Sequence, residues 1–218
     1  MVYDFHTHSI FSDGELIPSE LVRRAFVNGY EAVAITDHVD FSNLEPVLSA
    51  LRRFAEHAPE NVFIGVEITH VPPDKIEKIV LAARRLGAEI IVVHGETLTE
   101  PVYEGTNAVA VRTPGVDILA HPGLLSPEDA ELAAENEVFI EITSRKGHCL
   151  TNGHVARVSR EAGAKLLLNT DAHAPGDLIN DELAAKIVRG AGLGERDTVK
   201  VLRENPKVLI KRIAEKKK

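Results

Sequence analysis

The chain has 218 residues and a formal net charge of −8, from 25 Lys and Arg against 33 Asp and Glu. That length suits one domain over residues 1–218 with a core needing no staples. The acidic balance weighs against a nonspecific nucleic-acid or anionic-membrane surface, since both need a basic stripe. There is no apolar stretch of about 18 residues or more and no basic-then-apolar leader, so the reading is no membrane partner and a cytoplasmic location. The single Cys149 cannot form an internal disulfide, fits a reducing compartment and reads as a packed or incidental thiol.

Seven runs of apolar, largely β-branched residues each end on a ligand-type or acidic residue. In chain order they are VYDF before His6, AVAIT before Asp37 and His38, VFIGV before Glu67, EIIVV before His94, DILA before His121, VFI before Glu141 and KLLLNT before Asp171. Stretches with helical spacing lie between them. Pro18 and Ser19 open one whose Leu21, Val22, Ala25 and Phe26 share a face. Pro72 and Pro73 precede another, with Ile76, Ile79, Val80, Ala83 and Leu86 before Gly87. Asn152 reads as the N-cap of a third, which carries Val155, Val158 and Ala162 to Gly163. Helices are expected around 181–190 and 196–204, then an amphipathic segment through Val208, Leu209 and Ile213. Lys216, Lys217 and Lys218 read as a solvated, frayed tail.

Near-continuous apolar strands alternating with amphipathic helices imply a parallel sheet covered on both faces. Without GxGxxG or GxxxxGK[ST] after strand one, a closed or nearly closed α/β barrel fits better than an open doubly wound sheet. The carboxyl ends of such strands meet at one face, where residues distant in sequence become neighbours.

That face would gather imidazoles and carboxylates, the side chains that bind divalent cations. His6 and His8, two residues apart on a strand, point the same way and can grip one ion. Asp13 follows in the SDG loop, where an Asx turn is the bland alternative. His38 closes TDH, with Asp37 placed to orient an imidazole. Glu67 ends strand three, where an unpaired buried carboxylate is costly unless a cation meets it. His94, His121, Asp171 and His173 end later strands. Arg145 and Lys146, in EITSRKGH, would bring fixed cations to the same face, Arg145 as a bidentate phosphate contact. His70, His148 and His154 read as ordinary histidines rather than as acids or substrate contacts, and His57 as surface.

The ordered series HTHSxxSDG, TDH, GxE, VH, AHP and DxH, spanning residues 6 to 173, resembles the PHP (polymerase and histidinol phosphatase) family. The resemblance implies a distorted seven-stranded barrel, TIM-barrel-like, with a trinuclear metal site of two to three zinc, manganese or iron ions. It further implies one metal on His6, His8, Glu67 and Asp171, a second on the bridging Glu67 with His94 and His121, and a third on Asp13, His38 and His173. Three divalent cations against three ligand carboxylates would leave a local +3, a trap for phosphate.

The function read from this is hydrolysis of a small phosphomonoester by a metal-activated hydroxide, with Glu67, Asp171, His173 and Arg145 in the catalytic roles. The partner is a small phosphorylated metabolite. Histidinol phosphate is the named candidate, although the chain is shorter than established histidinol phosphatases of the family. Three other functions compete with this one. A phosphodiesterase or exonuclease acting on nucleotides would need a basic, aromatic groove, and aromatics are only 5% here. An amidohydrolase would need a bridging lysine that has no counterpart. A non-catalytic scaffold, such as an archaeal ribonuclease P subunit, would have no reason to keep nine ligand-competent residues.

Overall fold

In a computed structural model, residues 2–216 are described, and Lys217 and Lys218 of the C-terminal basic run lie outside them. The seven runs form parallel strands. These are β1 (Val2–Asp4), β2 (Tyr30–Ile35) continued after a break by β3 (His38–Val39), β4 (Val62–Ile68), β5 (Ile90–His94), β6 (Ile118–Ala120), β7 (Phe139–Thr143) and β8 (Leu166–Asn169). Their order in the sheet is β1-β2-β4-β5-β6-β7-β8, with β3 also paired to β4. Crossing helices follow the strands: α1 (Pro18–Val27), α2 (Leu44–Ala55), α3 (Pro73–Arg85), α4 (Thr106–Arg112), α5 (Pro127–Glu135), α6 (Asn152–Ala162) and α7 (Asp181–Gly190). Every residue of β4, VFIGVEI, is buried, as expected of a strand covered on both faces.

The barrel is nearly closed, and side chains complete the seam. Near its upper end the main chains of the first and last strands meet, with His8 N donating to Ala172 O (2.8 Å) and Asp171 N to His6 O (2.9 Å). Below, where the strands diverge, the Asp4 carboxylate accepts from Thr170 N (3.1 Å) and Thr170 Oγ1 (2.5 Å), and Asn169 Oδ1 accepts from Phe5 N (2.9 Å). The barrel interior is packed with Phe5, Phe63, Ile90, Ile118 and Phe139. Leu209 and Ile213 join them from α9 (Asn205–Lys216), so the last helix plugs the amino-terminal end of the barrel and leaves the opposite end for chemistry.

Several local expectations change. The segment expected at 196–204 is a short helix, α8 (Glu195–Val199), and a wider-wound turn at Lys200–Glu204 that runs into α9. Lys216 is no frayed residue, because its Nζ lies 2.6 Å from Oδ1 of the buried Asp117, which Arg84 also pairs. Asn152 does not cap α6. Its side-chain amide clamps the end of β7 instead, accepting from Thr143 N (3.1 Å) and donating to Thr143 O (2.8 Å), a paired use that a cap could not offer. Among the described residues no helix is long and apolar enough to cross a membrane.

Candidate metal centre

At the carboxyl end of the barrel, side chains from most strands converge on Glu67, near the end of β4. Its Oε2 lies 3.2 Å from His6 Nε2, 3.5 Å from His8 Nε2 and 2.7 Å from His38 Nδ1, while Oε1 lies 3.5 Å from His121 Nε2. Asp171, after β8, faces the same point, with Oδ1 3.1 Å from His8 Nε2 and 3.8 Å from His6 Nε2. Outside this pair, Asp13 Oδ1 lies 3.2 Å from His173 Nε2 and 3.6 Å from His38 Nε2. All nine residues singled out as ligands therefore meet at one end of the barrel. Their donor atoms fall into the groups His6, His8 and Asp171; Glu67, His94 and His121; and His8, Asp13, His38 and His173.

Local backbone devices aim these groups. His121 and Asp171 have φ of 26° and 53°, a region that costs non-glycine residues on the order of 1–3 kcal/mol and persists where the surroundings hold it. The SDG loop folds back so closely that a Cβ on Gly14 would fall 2.3 Å from His8 O. Asp37 ties that loop down, accepting from Ser9 N, Ser9 Oγ and Ser12 Oγ at 2.7 Å each. It therefore positions the loop carrying Asp13 and does not orient an imidazole, because three nearby donors already engage its carboxylate.

The residues fit a cation. The buried atoms His6 Nε2, His8 Nδ1 and Nε2, both Glu67 oxygens, both His121 nitrogens and Asp171 Oδ1 have no hydrogen-bond partner. Burying so many polar atoms unsatisfied costs several kcal/mol unless something binds them. Around them a further layer holds the rings. His6 Nδ1 donates to Glu141 Oε2 at 2.8 Å, and the same oxygen accepts from Asn169 Nδ2 at 2.8 Å. His173 Nδ1 donates to Asp171 O at 2.9 Å, and His94 Nδ1 to Gly95 O at 3.1 Å. Such partners fix the tautomer, leaving the inward nitrogen free.

Burial disfavours a charged His38, yet Glu67 and Asp13 outweigh it and raise its pKa to about 9. His6, His94 and His173 move up for the same reason, with nearby carboxylates overcoming burial. Burial and the neighbouring His38 push His8 down to about 3. Burial would raise Glu67, but His6, His38 and His94 hold it well below the usual range.

Three residues were missed or assigned the bland reading. Glu100, in the loop after β5, stands at no strand end, so nothing in the sequence marked it. Its carboxylate lies 3.0 Å from His94 Nε2, 3.3 Å from His148 Nε2 and 3.4 Å from His70 Nε2. His148 is buried, its ring stacked 4.3 Å from that of His121. His70 and His148 thus belong to the site, whereas His154 Nε2 bonds Leu125 O (2.8 Å) and His57 is exposed. With three divalent cations, the five carboxylates Asp13, Glu67, Asp171, Glu141 and Glu100 would leave a net of +1, a weaker trap than the expected +3.

Arg145 follows β7, with Nη1 3.2 Å from Asp177 Oδ2 and Nε 4.0 Å from Asp171 Oδ2. It stands between the cluster and a cavity of about 340 Å³ lined also by Ser144, Lys146, Ile179, Leu183 and Ile187. Lys146 is exposed at that cavity and does not reach the cluster.

Comparison with known proteins agrees with this geometry. The family description "PHP domain" matches residues 4–94. An uncharacterised protein of Methanocaldococcus jannaschii is 53% identical over 98% of this chain and 100% of its own length. The chain belongs to the PHP family. A ribonuclease P protein component 3 of Methanosarcina barkeri is 27% identical over 96% of this chain and 89% of that protein. A protein of Thermoanaerobacter named "probable phosphatase" is 28% identical over 89% and 88%. The crystal structure of an amidohydrolase superposes with a TM-score of 0.59 at 14% identity, covering 98% of this chain and 74% of that one, a likeness of barrel fold.

Proposed function

We propose that this chain is a metal-dependent hydrolase of small phosphomonoesters. The observation that carries the reading is the set of buried, unpartnered atoms of His6, His8, Glu67, His121 and Asp171 aimed at one point. In this reading His6, His8, Glu67 and Asp171 hold one cation, Glu67, His94 and His121 a second, and Asp13, His38 and His173 a third. Mixed nitrogen and oxygen donors suit zinc, manganese or iron. Bound there, such ions lower the pKa of water toward about 7 and neutralise charge on phosphoryl oxygens.

The remaining roles fall to side chains of the chain itself. Arg145 contacts the phosphate, and Asp177 holds its guanidinium in place. Glu141 keeps His6 turned inward. The cavity beyond Arg145, polar at Ser144 and Lys146 and apolar at Ile179, Leu183 and Ile187, receives the organic part of a small metabolite. Histidinol phosphate is one candidate.

The relatives named ribonuclease P protein component 3 support a second reading, an RNA-associated role. Against it stand the net charge of −8 and an aromatic content of 5%, which leave little for a strand to bind or stack on. One assay separates the two. The metal-loaded protein is offered phosphomonoesters, phosphodiesters and short RNA, with and without chelator. Chelator-sensitive turnover favouring monoesters supports the phosphatase; a higher kcat/KM on diesters or RNA would replace it.

A further inference from the structure

We propose that His70, Glu100 and His94 form an outer divalent-cation position through which metal reaches the inner position of Glu67, His94 and His121. This rests on the reading that the inner group holds a cation. Donor atoms of His70, His94 and Glu100 all lie within 4.8 Å of one another, a group that shares only His94 with the deeper ones. Glu100 Oε2 lies 3.0 Å from His94 Nε2 and 3.4 Å from His70 Nε2. Ligand bonds of roughly 2.0–2.2 Å in a tetrahedral site put neighbouring donors about 3.3–3.6 Å apart, which the His70 separation matches and the His94 separation approaches. The longer of the two separations exceeds an ordinary N–H···O bond of about 2.7–3.2 Å.

His94 is the shared member. Its Nδ1 is turned to Gly95 O at 3.1 Å, which leaves Nε2 as the nitrogen for either position. One nitrogen serves one ion at a time, so the two positions exchange an ion instead of holding two. Exposure gives the direction. The side chains of His70 and Glu100 are each 39% exposed, against 0% for Glu67 and 1% for His121. His70 and Glu100 would take a cation from solvent, and His94 would pass from their group to that of Glu67 and His121 with it.

The outer group is also held in shape. His148 Nε2 lies 3.3 Å from the other Glu100 oxygen, and its Nδ1 lies 2.6 Å from Thr97 Oγ1. His70 has φ of 52°, the same left-handed region that aims His121 and Asp171.

The test is zinc uptake by the chelator-stripped, full-length protein, followed by stopped-flow with a competing metal indicator, and final metal content by elemental analysis. Glu100→Gln and His70→Gln change half-exposed side chains and leave the inner ligands in place. Both should slow uptake of one zinc equivalent about tenfold or more, with final content equal to that of the parent. Anomalous diffraction of Glu67→Ala, whose inner position is disabled, should show zinc density between His70, His94 and Glu100, and its absence overturns the proposal. Uptake at the parental rate in both variants overturns the proposal. A final content lower by one equivalent also overturns it, because the residues would then be permanent ligands. A parent protein that takes up no zinc overturns both this inference and the reading beneath it.

Discussion

Nδ1 of His38 lies 2.7 Å from Oε2 of Glu67. The other ring nitrogen of His38 turns to Asp13, at 3.6 Å, so this imidazole joins the central carboxylate to the outermost ligand group. Losing it should therefore be felt at two places. His38→Ala should abolish binding at the group of Asp13 and His173 and weaken, without abolishing, binding at the two groups that share Glu67. Elemental analysis of purified variants checks this, and a metal content equal to the parent would contradict it.

Glu141 touches no proposed substrate position, yet it anchors His6 from behind at 2.8 Å. Partners of this kind typically contribute about 10–100-fold to metal affinity. Glu141→Gln should weaken zinc binding by roughly that factor, measured by competition with an indicator, and leave the KM of the fully loaded protein nearly unchanged.

The strands and most of the nine candidate positions were legible because burial and chemistry coincide there, whereas Asp13, exposed in a loop, stood out only through the family resemblance. Each apolar run had to be a strand, and each ended on a residue that burial alone would not tolerate. Glu100, His70 and His148 were illegible because loops bring them in, and a loop residue shows neither periodicity nor a strand end. Glu141 was visible as a strand end, but the side chain it would hold was not. Asn152 looked like a cap because its neighbours form a helix, and only the approach of β7 gives its amide two better partners. The role of α9 as a plug was hidden for a related reason. Its amphipathic face could be read at Leu209 and Ile213, but not the barrel end it would fill.

Arg145 approaches Asp171 and is braced by Asp177, as suits a contact to a substrate anion rather than to a cation. Charge-assisted hydrogen bonds contribute roughly 1.5–3 kcal/mol, so Arg145→Ala should lower kcat/KM by about one to two orders of magnitude. Metal content should stay constant. Loss of metal in this variant would make Arg145 a support of the cluster instead.

Without metal, stability should fall as pH rises. Burial opposes the charge on His38, but Glu67 raises its folded pKa to about 9, above the ordinary 6.5. The stability this contributes is fully present below pH 6.5 and is lost as pH rises through about 9. Cations need the neutral imidazole, so metal affinity should change the opposite way, strengthening over that window. Urea midpoints between pH 6.5 and 9, with chelator and with zinc, read both slopes, and a chelator-treated protein that grows more stable over this range would refute the assignment.

Glu67 stands at the centre of the site, buried, with neither oxygen in a hydrogen bond and faced by four imidazoles from three segments. The most direct measurement is the metal content of the parent and of Glu67→Ala, taken together with hydrolysis of a phosphomonoester by each. The parent should hold two to three divalent ions per chain and lose its turnover to chelator, while Glu67→Ala should lose at least one ion and its activity together. A parent with less than one tightly bound ion, or turnover indifferent to chelator and to Glu67→Ala, would contradict the account.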